Sequence, residues 1–185
     1  MIHRIDLECV EPLNSHSFMH KTQLFVSGIP GCGKSTFGRW LAHEKQFTYV
    51  DMEHDDLDKH GFRSSWNTFF AGTDGRSFVS AIQMHHSSVV LDWGFPPVCV
   101  DTVQRLKDVG LKMAWFEGDR LSARYHFVAR GTVPVSAFDS QYSQISLYWP
   151  RIEPIFGDNV VKAARSDGTL LSPEMIFQQV FGEDA

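Results

Sequence analysis

Cysteine is scarce: three in 185 residues, at Cys9, Cys32 and Cys99. They are odd in number and far apart, and no CxxC pair occurs, so neither a disulfide framework nor a zinc site is written in them. Reduced thiols are the expectation. Basic clusters are missing too. Seventeen Lys and Arg stand against 22 Asp and Glu, a formal charge of −5, which is the wrong balance for gripping nucleic acid through its phosphates. Nucleic acid is therefore not expected as the main partner. No apolar run approaches a membrane span. Residues 1–10 alternate apolar and charged side chains instead of forming the apolar core of a secretory signal. The expectation is a cytoplasmic protein with no membrane partner.

The remaining composition is ordinary for a globular domain. The chain is 43% hydrophobic and 21% charged, long enough for one well-buried core and too short for two full-sized domains. Residues 1–20 fit poorly with the pattern of the rest of the chain and read as an N-terminal extension, with a short extra edge strand over residues 2–10 and a loop after it. Residues 21–185 read as one domain.

From Gln23 onward short apolar runs alternate with helical patterns. Strands are expected at Leu24-Phe25-Val26, Phe47-Thr48-Tyr49-Val50, Ser88-Val89-Val90-Leu91, residues 111–116 and residues 159–163. Helices are expected over residues 34–45, 76–86, 96–109, 119–130 and 173–181. Ser172 serves as N-cap and Pro173 takes the first helical position of the last one. Residues 51–75 read as short helices and loops. Residues 132–139 read as a loop, and residues 140–156 as a helix interrupted near Pro150 and Pro154. Strands alternating with helices imply a parallel sheet covered on both faces.

The strongest signal is Gly28-Ile29-Pro30-Gly31-Cys32-Gly33-Lys34-Ser35-Thr36, which satisfies G-x-x-x-x-G-K-[ST] between an apolar strand and an amphipathic helix. Glycines let backbone N–H groups turn inward around phosphate oxygens. The next helix adds its positive end. Lys34 reaches for the β- and γ-phosphates, and the Ser35 hydroxyl serves Mg²⁺. ATP or GTP with Mg²⁺ is the implied ligand, through Gly28, Pro30, Gly31, Cys32, Gly33, Lys34, Ser35 and Thr36. Cys32 sits at a variable position of the loop and reads as a tolerated small residue.

Two acids end apolar strands. Asp92 can hold the magnesium water shell. Asp51 can accept a proton from an attacking hydroxyl. Ligands of open α/β sheets sit beyond these strand ends, and the sequence leaves both acids open as the acid/base. Arg120 and Arg124 share one helix face, with Arg130 near that helix's end. Arginines there can stabilise the charge that spreads over a transferring phosphoryl group. Trp93-Gly94-Phe95 can line a pocket, although aromatics are more often core.

The phosphate loop after a strand, the run VVLDWGF after a later strand and the pattern R-x3-R-x5-R together resemble the small P-loop kinases, the adenylate, shikimate and gluconate kinases and their chloramphenicol-phosphotransferase-like and zeta-toxin-like relatives. The resemblance spans about residues 23–181 in motif order. It implies a three-layer α/β P-loop NTPase fold: a five-stranded parallel sheet in order 2-3-1-4-5, flanked by helices, with a short lid at residues 131–139. It also implies that Arg120, Arg124 and Arg130 match lid arginines near the ATP phosphates, that residues 164–168 lie against the base, and that Asp51 matches an acid at the second strand's end. The activity implied is Mg²⁺-dependent γ-phosphoryl transfer from ATP to a hydroxyl of a small molecule, with Lys34, Asp51 and Arg124 as the catalytic set and Ser35 and Asp92 at the metal. The alternative from the sequence is an ATPase or switch module working through a protein partner. No N-K-x-D motif of a Ras-type GTPase is present.

Overall fold

The computed structural model describes residues 21–72, 75–85, 87–131 and 134–182. The extension over residues 1–20, with its expected edge strand, lies outside the described residues. So do Thr132 and Val133 of the expected lid.

Five strands form one parallel sheet: β1 (Gln23–Gly28), β2 (Thr48–Asp51), β3 (Val89–Asp92), β4 (Lys112–Gly118) and β5 (Val160–Ala164). Their order is β2-β3-β1-β4-β5, as expected. β1 is central, and Leu24, Phe25 and Val26 are fully buried. A strand covered on both faces has no polar side to show, which is why it reads as an unbroken apolar run. Each such side chain contributes about 1.5–3 kcal/mol by leaving water.

The helices are α1 (Lys34–Glu44), α2 (Asp56–Lys59), α3 (Arg63–Phe70), α4 (Gly75–Gln83), α5 (Val100–Asp108), α6 (Arg120–Ala129), α7 (Val135–Phe156) and α8 (Pro173–Phe181). A single 3-10 turn, Pro97–Cys99, leads into α5. α1 buries Phe37 and Leu41, and half-buried Trp40 stacks on Phe37 with centroids 6.1 Å apart. The last helix is capped as expected, with Ser172 Oγ accepting from Met175 N at 3.4 Å.

One element departs from the expectation. Residues 135–139 are helix, not loop, and α7 runs unbroken for 22 residues through Pro150 and Pro154. Each proline removes one N–H from the ladder. Pro150 and Pro154 are four apart and both exposed, so the carbonyls they orphan lie on the outer face, where water reaches them. The helix therefore keeps its course along the sheet, burying Phe138, Ile152, Ile155 and Phe156. Its first three turns line the cleft at the carboxyl ends of the strands, and the first of them replaces the expected loop.

Candidate active site

The phosphate loop joins β1 to α1, and its glycines are dictated by contact as well as by curvature. Gly31 has φ 86°, and a Cβ there would lie 2.1 Å from the Ala123 carbonyl oxygen of α6. At Gly28, φ 142°, a Cβ would lie 2.2 Å from the Phe116 oxygen of β4. Gly33, φ 84°, is the left-handed N-cap of α1, a conformation costly for any residue with a side chain. The loop is thus clamped between the sheet and α6. Ile29 N donates to Phe116 O at 2.8 Å, closing its base.

A cleft of about 810 Å³ opens over the carboxyl ends of the strands. Among the groups that line it are Gly28, Pro30, Lys34, Ser35, Asp51, Asp92 and Arg130. Parallel pairing puts Asp51 of β2 directly beside Asp92 of β3. The two strand-end acids are therefore neighbours on one rim.

Lys34 is folded back on its own loop, donating from Nζ to the carbonyls of Gly28 at 3.1 Å and Ile29 at 3.2 Å. Burial pulls its pKa below the ordinary lysine value, and the charge of Asp92 opposes that shift. Carbonyl oxygens here stand in for the phosphate oxygens that the loop is shaped to receive.

Asp92 is 5% exposed. Its Oδ2 accepts from the Tyr49 hydroxyl at 2.9 Å, and Ser35 also hydrogen-bonds to that phenol. Ser35, Tyr49 and Asp92 therefore form one polar chain at the start of α1. Burial and the Asp92 charge push the Tyr49 phenol above its ordinary range. Gly38 is what admits this ring: a Cβ there would lie 2.4 Å from Tyr49 Cδ2. The hydroxyl of Ser35 and the carboxylate of Asp92 are hard oxygen donors at the phosphate end of the cleft. That set fits Mg²⁺, which is bound by one or two such groups plus substrate phosphates.

Asp51 is held on both oxygens. Oδ1 accepts from Glu53 N at 3.0 Å, and Oδ2 lies 3.0 Å from His54 Nδ1. The hydrogen bond and charge of Asp51 raise the His54 pKa. Glu53 Oε1 in turn accepts from Gly94 N at 2.9 Å, tying the turn after β2 to the turn after β3. Gly94 and Phe95 line the cleft with Pro96 and Pro97. Trp93 packs away from it, among Phe25, Trp66 and Phe70.

The arginines expected at a lid divide. Arg130 lines the cleft. Arg120 and Arg124 do not. Arg120 Nη2 and Arg124 Nε lie 3.1 and 3.6 Å from Asp139 Oδ1, and Arg120 also sits 4.8 Å from the Tyr142 ring centroid. They bind α6 to the first turn of α7, and Asp139 is on that helix because the expected lid loop is helical there. Cys32, although in the loop, turns its side chain into the core, fully buried, with its thiol pushed up to about 11 by burial. Such a thiol is a poor nucleophile. Gly31, Gly33 and exposed Thr36 belong to the loop without forming the cleft wall. Residues 164–168 pack against α6, where Ser122 Oγ donates to Arg165 O at 2.6 Å and His126 Nε2 lies 3.0 Å from Gly168 O.

Sequence reasoning missed Tyr49 as a site residue, and with it Arg39, Trp115, Gln141 and Gln144, which also line the cleft. A signal for Tyr49 exists: it lies two residues before Asp51 on the same strand face, and a buried phenol needs a partner.

A doubly covered parallel sheet in this order, with GxxxxGKS at the end of its central strand, defines a P-loop nucleotide-binding fold. The comparisons agree, and the fold is that of the small P-loop kinases. A shikimate kinase from Bacteroides thetaiotaomicron aligns with TM-score 0.53 and 12% identity over 86% of this chain and 94% of its own. A gluconokinase from Sinorhizobium meliloti 1021 gives 0.50 and 16% over 87% and 90%. A shikimate kinase from Acinetobacter baumannii in complex with shikimate gives 0.51 and 16% over 87% and 93%. At these identities the likeness is one of fold. Curated sequences match locally: a Bordetella avium (strain 197N) shikimate kinase is 35% identical over 57 residues, 31% of this chain and 26% of that protein. A Clostridium botulinum (strain Eklund 17B / Type B) shikimate kinase is 46% identical over 33 residues, 18% of this chain and 20% of that protein. The alignments thus span about a quarter and a fifth of these relatives. No protein-family model matches the chain. Among the described residues, no helix is long and apolar enough to cross a membrane.

Proposed function

We propose that the chain is a kinase that transfers the γ-phosphoryl group of ATP to a hydroxyl of a small molecule, with Mg²⁺. The observation that carries this reading is that Lys34, Ser35, Asp51 and Asp92 line one cleft. A nucleotide-binding module alone needs the first two. The second acid, in register with Asp92, is what a hydroxyl acceptor requires.

In this reading the loop amides and the α1 N-terminus hold the phosphates. Lys34 leaves its two carbonyls and follows the γ-phosphoryl charge. Ser35 and Asp92 would hold Mg²⁺, which would supply positive charge against the phosphates. Tyr49 fixes the Asp92 carboxylate. Asp51 orients the acceptor hydroxyl and takes its proton, and Glu53 N holds the carboxylate in place. Arg130 stabilises charge on the transferring group. Arg124 and Arg120 join it only after parting from Asp139, which makes the start of α7 the moving piece.

The test is a product assay with ATP, Mg²⁺ and a metabolite panel, comparing wild type with Lys34→Ala. Phosphorylated product that falls at least about 100-fold in the variant is expected for loss of a charge-stabilising group. Tight ATP binding with no product from any hydroxyl compound would refute transfer and leave only the nucleotide site.

A further inference from the structure

A second cavity, of about 220 Å³, adjoins the cleft and shares Trp115 and Ile145 with it. Glu117, Tyr142, Ser146 and Trp149 complete most of its wall. The sequence explains the gathering. Trp115 and Glu117 are two apart on β4, so their side chains leave the same face of the sheet. Tyr142, Ile145, Ser146 and Trp149 fall at helical spacing on α7 and make one stripe. Laying that stripe over β4 brings three aromatic rings and one carboxylate to a single pocket. The two indoles have centroids 5.4 Å apart at 55°.

Two polar groups here lack partners. The Trp115 indole, 2% exposed, has a buried Nε1 with no hydrogen bond among the described residues. The Glu117 carboxylate is half-buried and has no ion pair among them. Glu117 stands in register with Lys162 of β5, an exposed cation that forms no ion pair with it among the described residues, and Arg120 on α6 lies on Tyr142 and is paired with Asp139.

A carboxylate that makes no ion pair, in a pocket walled by aromatic rings, is complementary to an ammonium group, which gains from the ring quadrupoles as well as from the charge. A ligand carboxylate would be repelled by Glu117, and a neutral ligand would gain nothing from its charge. Trp115 Nε1 can only donate, so the ligand also needs an oxygen near its amine. The volume is several times the roughly 30 Å³ that one water occupies, enough for a short chain or a single ring.

We propose that this side pocket is a subsite for a primary amine, and that the acceptor in the cleft is a hydroxylated amine, an amino sugar or amino alcohol, not a hydroxy acid. Calling the ligand an acceptor rests on the kinase reading above; the amine site does not.

The test uses three probes on one carbon skeleton, glucosamine, glucose and gluconate. Each is titrated into the full chain with ADP and Mg²⁺, by calorimetry and by indole fluorescence, for wild type and Glu117→Gln. Glucosamine is expected to bind at least tenfold more tightly than either of the others. Glu117→Gln is expected to erase that preference while leaving ADP affinity and the melting temperature unchanged. Equal or tighter binding of glucose or gluconate, binding of none of the three, or a preference that survives Glu117→Gln overturns the proposal. Amine binding without phosphoryl transfer to any hydroxyl compound refutes the kinase reading and leaves the subsite standing. Transfer to hydroxy acids alone does the reverse.

Discussion

Tyr49→Phe removes one oxygen and little else. In the native protein that oxygen donates to Asp92 Oδ2 at 2.9 Å. Asp92 is only 5% exposed, so water cannot fully replace the lost donor. A hydrogen bond to a charged group contributes about 1.5–3 kcal/mol. In a domain of this size 1 kcal/mol moves Tm by roughly 2–4 °C, so the variant should melt roughly 3–12 °C lower. The ring itself stays over Gly38 and beneath the Arg39 guanidinium, 5.9 Å from its centroid, so packing is a small part of the change. The assay is thermal melting by circular dichroism, without nucleotide, on wild type, Tyr49→Phe, Asp92→Asn and the double variant. Partners in one bond are non-additive, and the double variant should lose less than the sum of the singles by about 1 kcal/mol. A Tm within about 1 °C of wild type, or strict additivity, refutes the reasoning. The pH dependence has a definite sign. The folded protein holds the phenol proton above the ordinary value of 10.0, while the unfolded chain loses it there. The stabilisation is intact below pH 10 and is lost as pH rises through the folded value. Alkaline melting above pH 10 should therefore be blunted in Tyr49→Phe.

Gly31→Ala forces a methyl to within 2.1 Å of the Ala123 carbonyl at φ 86°; it should weaken ATP binding at least about tenfold, or about 1.4 kcal/mol, by calorimetry, and unchanged affinity would show that α6 yields freely. Protonated His54 neutralises Asp51, and its pKa is raised above 6.5; kcat/KM should climb with pH through a limb above 6.5 that His54→Ala displaces, and a profile identical in both proteins counts against Asp51 as base. Asp139→Asn frees Arg120 and Arg124 from exposed ion pairs; stability should change by under about 1 kcal/mol, while KM for ATP falls several-fold, and a raised KM would mean that the pairs belong to the working state.

The phosphate loop is legible in the sequence because its chemistry is local: spacing, flanking strand and adjoining helix all lie within Gln23 to Glu44. Asp51 and Asp92 are legible as strand ends, and parallel pairing then makes them neighbours, which no local pattern states. Tyr49 is hidden because an aromatic in a strand reads as packing; only the long-range partner on β3 gives its hydroxyl a purpose. The start of α7 reads as a loop because proline-flanked polar residues resemble one, whereas Phe138, fully buried and 5.6 Å from Phe127 on α6, anchors that turn as helix. Gln141 and Gln144 lie in the part of α7 expected as helix, but which face of it lines the cleft depends on packing against the sheet.

Neighbouring strands are separated by about 4.8 Å. Asp51 and Asp92 stand side by side across a single such gap, so on the proposed reading the groups that would hold the metal and take the proton are one strand spacing apart. That spacing is set by the sheet and not by any loop. The turns and helix flanks that line the rest of the cleft can be rebuilt by mutation while those two carboxylates keep their separation.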